Sequence, residues 1–311
     1  MANAARRWLY RPLAAGVAPA ALAEEFRSAC RRVPPVDPEG RLGSEASWVR
    51  FTNRLRELAL TGNPAEFLGW DVIEQTMSVG AVDYIDREFE YLRSRPDWRS
   101  RWRPIVRESM AGSPRLYLRH PWTSRNLVHS AYHVAQFEEK TGRRPGDYEL
   151  ILEFGGGYGS MCRLCHDAGF RGTYLIFDLP LFSALQAYYL GLVGLRMGGD
   201  GVRCVSSLDE LKALLSGRDL TNSLFIATWS LCECPVSFRD QFSPFAEGFG
   251  GYLMAYQDQY HEVENAPYFR RWRERAPGIR WREWPIEHLP RPRSFYLVGA
   301  REERQLGPEK H

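Results

Sequence analysis

Apolar residues fall at helical spacing along the first third of the chain. Leu22, Phe26 and Ala29 make one stripe, and Trp48, Phe51, Leu55 and Leu58 make a second at alternating steps of three and four. Val82, Ile85, Phe89 and Leu92 make a third. Such steps put each set on one face of a helix, and Ser44, the Gly62-Asn63-Pro64 turn and Pro96 punctuate the run. No strand pattern intervenes before about Met110. Residues 1–115 are therefore expected to form an all-helical amino-terminal subdomain that covers a cleft or pairs with a second subunit in a homo-oligomer. The segment from Ser124 to Lys140 continues the helical pattern, with Leu127, Ala131, Val134 and Ala135 on its buried side. His129, His133 and Gln136 share the opposite face, with Tyr132 beside it. A polar face of this kind is either solvated or turned toward a ligand. Solvation is the expectation for the two histidines, and Tyr132 is carried forward as a cofactor contact.

The period then changes to short apolar runs alternating with helices. Strands are expected at 150–154, 173–178, 202–205, 223–229, 251–257, 279–284 and 294–299, and helices at 160–168, 181–193, 208–215, 237–245 and 268–275. Five strand-helix steps followed by two strands with no helix between them describe a mostly parallel sheet ending in a hairpin. Residues 116–303 form this α/β domain, and 304–311 are a polar tail expected to be disordered. Tyr268, Phe269 and Trp272 stand at helical spacing and are expected in the core or an interface.

Composition narrows the class. A net charge of +3 over 311 residues leaves no nucleic-acid footprint. Six cysteines spread over a chain of this size suit reduced thiols in the cytoplasm better than a disulfide framework. Arg6-Arg7 before the alanine-rich run from Leu13 to Ala23 imitates an export leader, but Pro12, Pro19 and the weak apolarity of alanine argue against one. No run approaches the ~20 apolar residues of a membrane span.

The chemistry concentrates between Glu149 and Pro180. The strand Leu150-Ile151-Leu152 meets Glu153 and then Gly155-Gly156-Gly157-Tyr158-Gly159, and the next strand ends in Asp178. A dinucleotide site calls for G-x-G-x-x-G, with pyrophosphate at the helix amino terminus. Here the third glycine comes one residue early and Ser160 follows it. The G-x-G-x-G form lets backbone approach a ligand without a phosphate at the helix end, as the methionine part of S-adenosylmethionine requires. Asp178 can accept both ribose hydroxyls, Glu153 can orient the loop or an ammonium group, and Leu179, Ser207 and Leu208 are the candidates for the adenine slot. An NAD-dependent oxidoreductase is the alternative enzyme class, and a non-catalytic binding module the alternative outside enzymes.

The strings Glu153-Phe-Gly-Gly-Gly-Tyr-Gly159, Phe177-Asp-Leu-Pro180 and Thr228-Trp-Ser-Leu-Cys-Glu233 resemble the class I methyltransferases, most closely the putative sugar O-methyltransferases. The likeness runs from about Leu127 to Ala300. It implies a seven-stranded, mostly parallel Rossmann-like α/β sheet, S-adenosylmethionine as cofactor and a hydroxyl acceptor on a sugar or glycosylated small molecule. In such a sheet ligands sit over the carboxyl ends of the strands. Thr228 and Trp229 after the fourth strand could line the cofactor. Among acceptor-side groups, His261 is the first candidate for general base, with Glu233 or Asp258 as orienter or as the base itself. Asp258, His261 and Glu262 would also suit magnesium, although a metal is not the favoured reading. Cys162-Arg-Leu-Cys-His166 matches a haem-attachment string, and Cys162, Cys165, Cys232 and Cys234 could be assembled on paper into a zinc site. Buried thiols are the expected role of all four.

Overall fold

The computed structural model describes residues 19–41, 43–79, 83–261, 263–276, 278–289 and 292–302. The Arg6-Arg7 stretch, Val82 of the third stripe, Glu262 and the carboxyl tail lie outside the described residues. Four α-helices of six residues or more come first among the described residues: α1 (Pro19–Arg32), α2 (Gly43–Thr61), α3 (Asp71–Thr76) and α4 (Tyr84–Ser94). Next is α5 (Arg125–Thr141). Ser124 caps its first turn by accepting from the Leu127 N–H, and Gly142, at φ 73°, closes its last.

The alternating part follows as β1 (Leu150–Phe154), α6 (Ser160–Asp167), β2 (Thr173–Phe177), α7 (Pro180–Leu192), β3 (Val202–Val205) and α8 (Leu208–Leu215). It continues with β4 (Ser223–Thr228), α9 (Val236–Phe242), β5 (Gly251–Gln257), α10 (Ala266–Arg275), β6 (Ile279–Pro285) and β7 (Ser294–Arg301). The sequence pattern anticipates each of these strands to within two residues. It does not show the two-residue ribbon that pairs Gln259–Tyr260 with Val263–Glu264.

The seven strands lie in the order β3-β2-β1-β4-β5-β7-β6. The first five are parallel, and β7 runs antiparallel between β5 and β6. This is a seven-stranded Rossmann-like sheet with β4 at its centre and β1 beside it. All five residues of β1 are buried because both faces of the sheet are covered. One face, bearing Leu152, Phe154, Leu175 and Phe225, packs with Phe242 of α9 and Trp272 of α10. Tyr268 and Phe269 are buried there as well.

The other face, bearing Ile151, Ile176 and Ile226, packs with α5, α6 and α7. Its core runs on without a break into the amino-terminal helices. Phe26 of α1 stacks on Tyr188 of α7 at 5.4 Å, and Phe67 meets the rings of Tyr158, Tyr188 and Tyr189 edge-on. Each such buried ring contributes about 1.5–3 kcal/mol. The amino-terminal helices are thus anchored on α7 and carry residues over the carboxyl ends of β1, β2 and β4.

Candidate active site

The turn after β1 is fixed from below. The Gly155 N–H donates to the Phe177 carbonyl at 2.9 Å, joining the turn to the tip of β2. A Cβ on Gly155 would stand 2.3 Å from Ser230 Cβ, and one on Gly156 would stand 2.5 Å from Ile176 Cγ2, so these two glycines answer to packing. Gly157 differs. It has φ +56°, and its Cβ would meet only Met77 of the amino-terminal part, at 3.7 Å, so its backbone borders open space beneath that side chain. Gly159, at φ +100°, precedes α6 and packs on Leu190. The Ser160 hydroxyl at the start of α6 lies 3.4 Å from that of Ser130 on α5, so α5 covers this helix end.

Asp178 stands half-buried at the tip of β2. Its Oδ1 accepts from the Leu179 N–H at 2.7 Å, and its Oδ2 from Gln186 Nε2 at 2.7 Å. The same Gln186 nitrogen donates to the Gly157 carbonyl at 3.0 Å. One buried amide therefore ties the glycine turn to the acid. Its own Oε1 is buried with no hydrogen-bond partner among the described residues. Leu179 beside the acid is 41% exposed, unusual for leucine, and Ser207 and Leu208 lie at the adjoining tip of β3, where the Asp178 N–H donates to the Val205 carbonyl. The expected cofactor residues Gly155, Gly157, Asp178, Leu179, Ser207 and Leu208 thus lie along one line of adjacent strand tips.

Glu153 sits inside the turn rather than at its mouth. It is buried, accepts from the Tyr174 hydroxyl at 2.8 Å and lies beneath Gly156, which suits orienting the loop and leaves no open approach for an ammonium group. Burial pushes its carboxyl up to about 8 and that of Asp178 up to about 7. A carboxyl raised in the folded state stabilises the fold fully below its unfolded pKa, and that contribution is lost as pH rises through the folded value. The melting temperature of the free protein is expected to decline between pH 4.5 and about 8. Glu153→Gln should flatten the decline and melt about 5 °C or more above wild type at pH 8.5, as read by scanning calorimetry. A wild-type profile level across that window would contradict this account.

At the exit of β4, Thr228 is followed by Trp229 with φ 64°, a left-handed conformation that costs about 1–3 kcal/mol for such a residue and is held by the surrounding contacts. The Ser230 hydroxyl donates to the Phe154 carbonyl, locking this exit to the glycine turn. Glu233 is half-buried. Burial pushes it up to about 8, opposed by a hydrogen bond from Trp48 of α2. The exit of β5 turns out differently from its promise in sequence. The chain folds back at once into the short ribbon, and His261 occupies its turn, exposed, at φ 48°, against the Tyr260 ring. Asp258 faces Arg293, with Nε to Oδ2 at 3.3 Å, rather than His261. Among the described residues no hydrogen bond links His261, Asp258 and Glu233: Asp258 is taken by Arg293 and Glu233 by Trp48.

Two further expectations change on α5. The face bearing His129, His133 and Gln136 is not solvated: His133 and Gln136 are buried, His133 against Tyr296 of β7 and Trp229, and His129 is turned to Glu88 of α4. Tyr132 lies about 100° round the helix from His133 and packs with Tyr91, His288 and Tyr296, away from the glycine turn. Sequence reasoning also passed over Gln186, although a glutamine inside the apolar run of α7 was a signal. Glu88 within the stripe Ile85, Phe89 and Leu92 was another.

All six cysteines are free. Cys162 and Cys165 pack on one face of the sheet and Cys232 on the other, so the four thiols considered for zinc are divided by the sheet. Among the described residues no group of three His, Cys, Asp or Glu side chains is arranged to hold a metal ion, and no helix is long and apolar enough to cross a membrane.

No family model and no curated protein matches the chain. Solved structures do align with it. The magnesium protoporphyrin IX methyltransferase of Synechocystis with bound SAM aligns at 16% identity over 72% of this chain and 100% of its own, with a TM-score of 0.41. The amino-terminal domain of human METTL16 with SAH aligns at 11% identity over 72% of this chain and 99% of its own, with a TM-score of 0.39. An rRNA methylase of Streptococcus thermophilus aligns at 9% identity over 57% of this chain and 96% of its own, with a TM-score of 0.40. At these scores the likenesses carry no inference about ligand or substrate, which rest on the residues of the cleft.

Proposed function

We propose that this chain is an S-adenosylmethionine-dependent O-methyltransferase whose acceptor is a hydroxyl of a sugar or glycosylated small molecule. The observation that carries the cofactor half is the open backbone at Gly157, held to the Asp178 carboxylate through Gln186, with the exposed Leu179 alongside. Asp178 keeps lone pairs for two ribose hydroxyls, Leu179 offers an apolar wall for adenine, and the Gly155–Gly157 backbone takes the methionine end. The cover that α5 lays over the start of α6 favours this ligand over a dinucleotide, whose pyrophosphate needs that helix end open.

When bound, the cofactor supplies an activated methyl carbon to the acceptor oxygen and leaves as the neutral thioether. The protein's own part is to align the two reactants, exclude water and receive the hydroxyl proton. The acceptor class is supported by the resemblance of the three motif strings and by the polar and aromatic side chains at the exit of β4, Trp229, Ser230 and Glu233. Titration calorimetry with S-adenosylmethionine and S-adenosylhomocysteine should give saturable binding of both, whereas NADH should not bind. Folded protein that binds neither sulfur compound would overturn the proposal.

A further inference from the structure

Glu88 of α4 is fully buried, at 0% exposure, yet it meets two histidines from distant parts of the chain. His129 Nδ1 on α5 lies 2.8 and 3.0 Å from its two oxygens, and His288 Nε2 in the turn after β6 lies 2.8 Å from Oε1. Burial alone would raise this carboxyl. The two imidazoles outweigh it and hold the group below its ordinary range. A neutral His129 that donates Nδ1–H to Glu88 keeps its lone pair on Nε2, and this nitrogen has no hydrogen bond among the described residues.

The position of that ring is set by the same contacts that build the cofactor cleft. One turn earlier on α5, Asn126 accepts from the Val79 N–H and donates to the Met77 carbonyl, placing Met77 over Gly157. The next residue, Ser130, reaches Ser160. On the other side the Trp229 indole lies parallel to the His129 ring at 6.4 Å, and Ser230 follows it against Gly155. His129 is thus bracketed by the two walls of the glycine turn. His133, 4.2 Å away ring to ring, has no spare nitrogen: Nδ1 pairs with the Tyr296 hydroxyl and Nε2 accepts from Trp229 Nε1 at 3.3 Å. The titratable groups facing His129 are Glu88 and Tyr84 from α4, His133 from α5, and His288 beyond Glu88.

We propose that His129 Nε2 is the general base that takes the acceptor's hydroxyl proton, with Glu88 and His288 as positioning residues. This rests on the O-methyltransferase reading above. The O–H bond would break, its electron pair would stay on oxygen to form the new bond to the methyl carbon as the carbon–sulfur bond returns its pair to sulfur, and the proton would pass to Nε2. The imidazolium so formed faces the Glu88 carboxylate and later returns its proton to water.

The test uses the full chain with methyl glucoside, methyl rhamnoside and UDP-glucose as acceptors, and methylated mass as the product. His129→Gln is expected to lower kcat by about 10²–10⁴ with KM little changed, to keep S-adenosylhomocysteine affinity within a few-fold and to lose the acid limb of the pH profile. Added imidazole should restore part of the rate to His129→Ala. Independent of turnover, ¹⁵N spectra of histidine-labelled protein should show His129 protonated on Nδ1 in its neutral form. An Nε2–H tautomer, an unchanged rate in His129→Gln or no rescue by imidazole overturns the assignment. Cofactor binding without methylation of any of the three acceptors overturns the acceptor class and the base with it. Loss of cofactor binding in wild type overturns the function itself.

Discussion

Asp178→Ala is expected to weaken S-adenosylmethionine binding by about 100-fold, because it removes two charge-assisted hydrogen bonds to the ribose hydroxyls at ~1.5–3 kcal/mol each, part of which water recovers. The variant should fold, since the side chain is half-buried at a strand tip and what it leaves unpaired is the Leu179 and Gly156 N–H groups and one amide hydrogen of Gln186. Burial holds the free carboxyl up at about 7. Accepting two hydroxyl protons favours its ionised form, so cofactor binding should release a proton below that pH. Affinity should then rise from pH 5.5 to 7.5 and level off, and Asp178→Asn should lose the rise. Calorimetry in buffers of different ionisation enthalpy reads the proton count directly. Affinity independent of pH in wild type would remove Asp178 from the ribose contact.

Gly157→Ala is expected to abolish detectable cofactor binding in a protein that still folds. The left-handed φ of +56° costs alanine about 1–2 kcal/mol, and the added methyl meets only Met77, so a loss of a few degrees in melting temperature is the structural limit. The same methyl occupies the space the ligand needs against the backbone. Gly156→Ala should behave in the opposite way: its Cβ would strike Ile176, which is fully buried, and the loss should appear first as stability. Comparing melting temperature with affinity for both variants separates a cradle from a packing contact. Equal loss of affinity per degree of melting in the two would sink the distinction.

The β1-α6-β2 unit could be read from sequence because each feature is local. Short apolar runs mark the strands, and the acid follows the second run directly. The mostly parallel sheet and its closing hairpin followed from the count of strand-helix steps. What lay beyond reach was contact between distant segments. Glu88, His129 and His288 are separated by 41 and 159 positions, and no local period announces that a helix stripe, a second helix and a hairpin turn converge. His261 drew attention because strand exits of this fold face the ligand, yet the two-residue ribbon turns it outward within four residues of β5. Tyr132 was lost to helical phase, since one residue along α5 rotates a side chain by about 100°.

Gln186 has a consequence for how the ligand would be sensed. Its one amide nitrogen serves the carbonyl of Gly157 and the carboxylate of Asp178, so the contacts for the two ends of a cofactor are not independent. Adenosine and homocysteine offered as separate fragments should each tighten the hold of the other, because whichever binds first fixes the amide that the second relies on. Gln186→Leu would leave two half-sites that no longer report on each other.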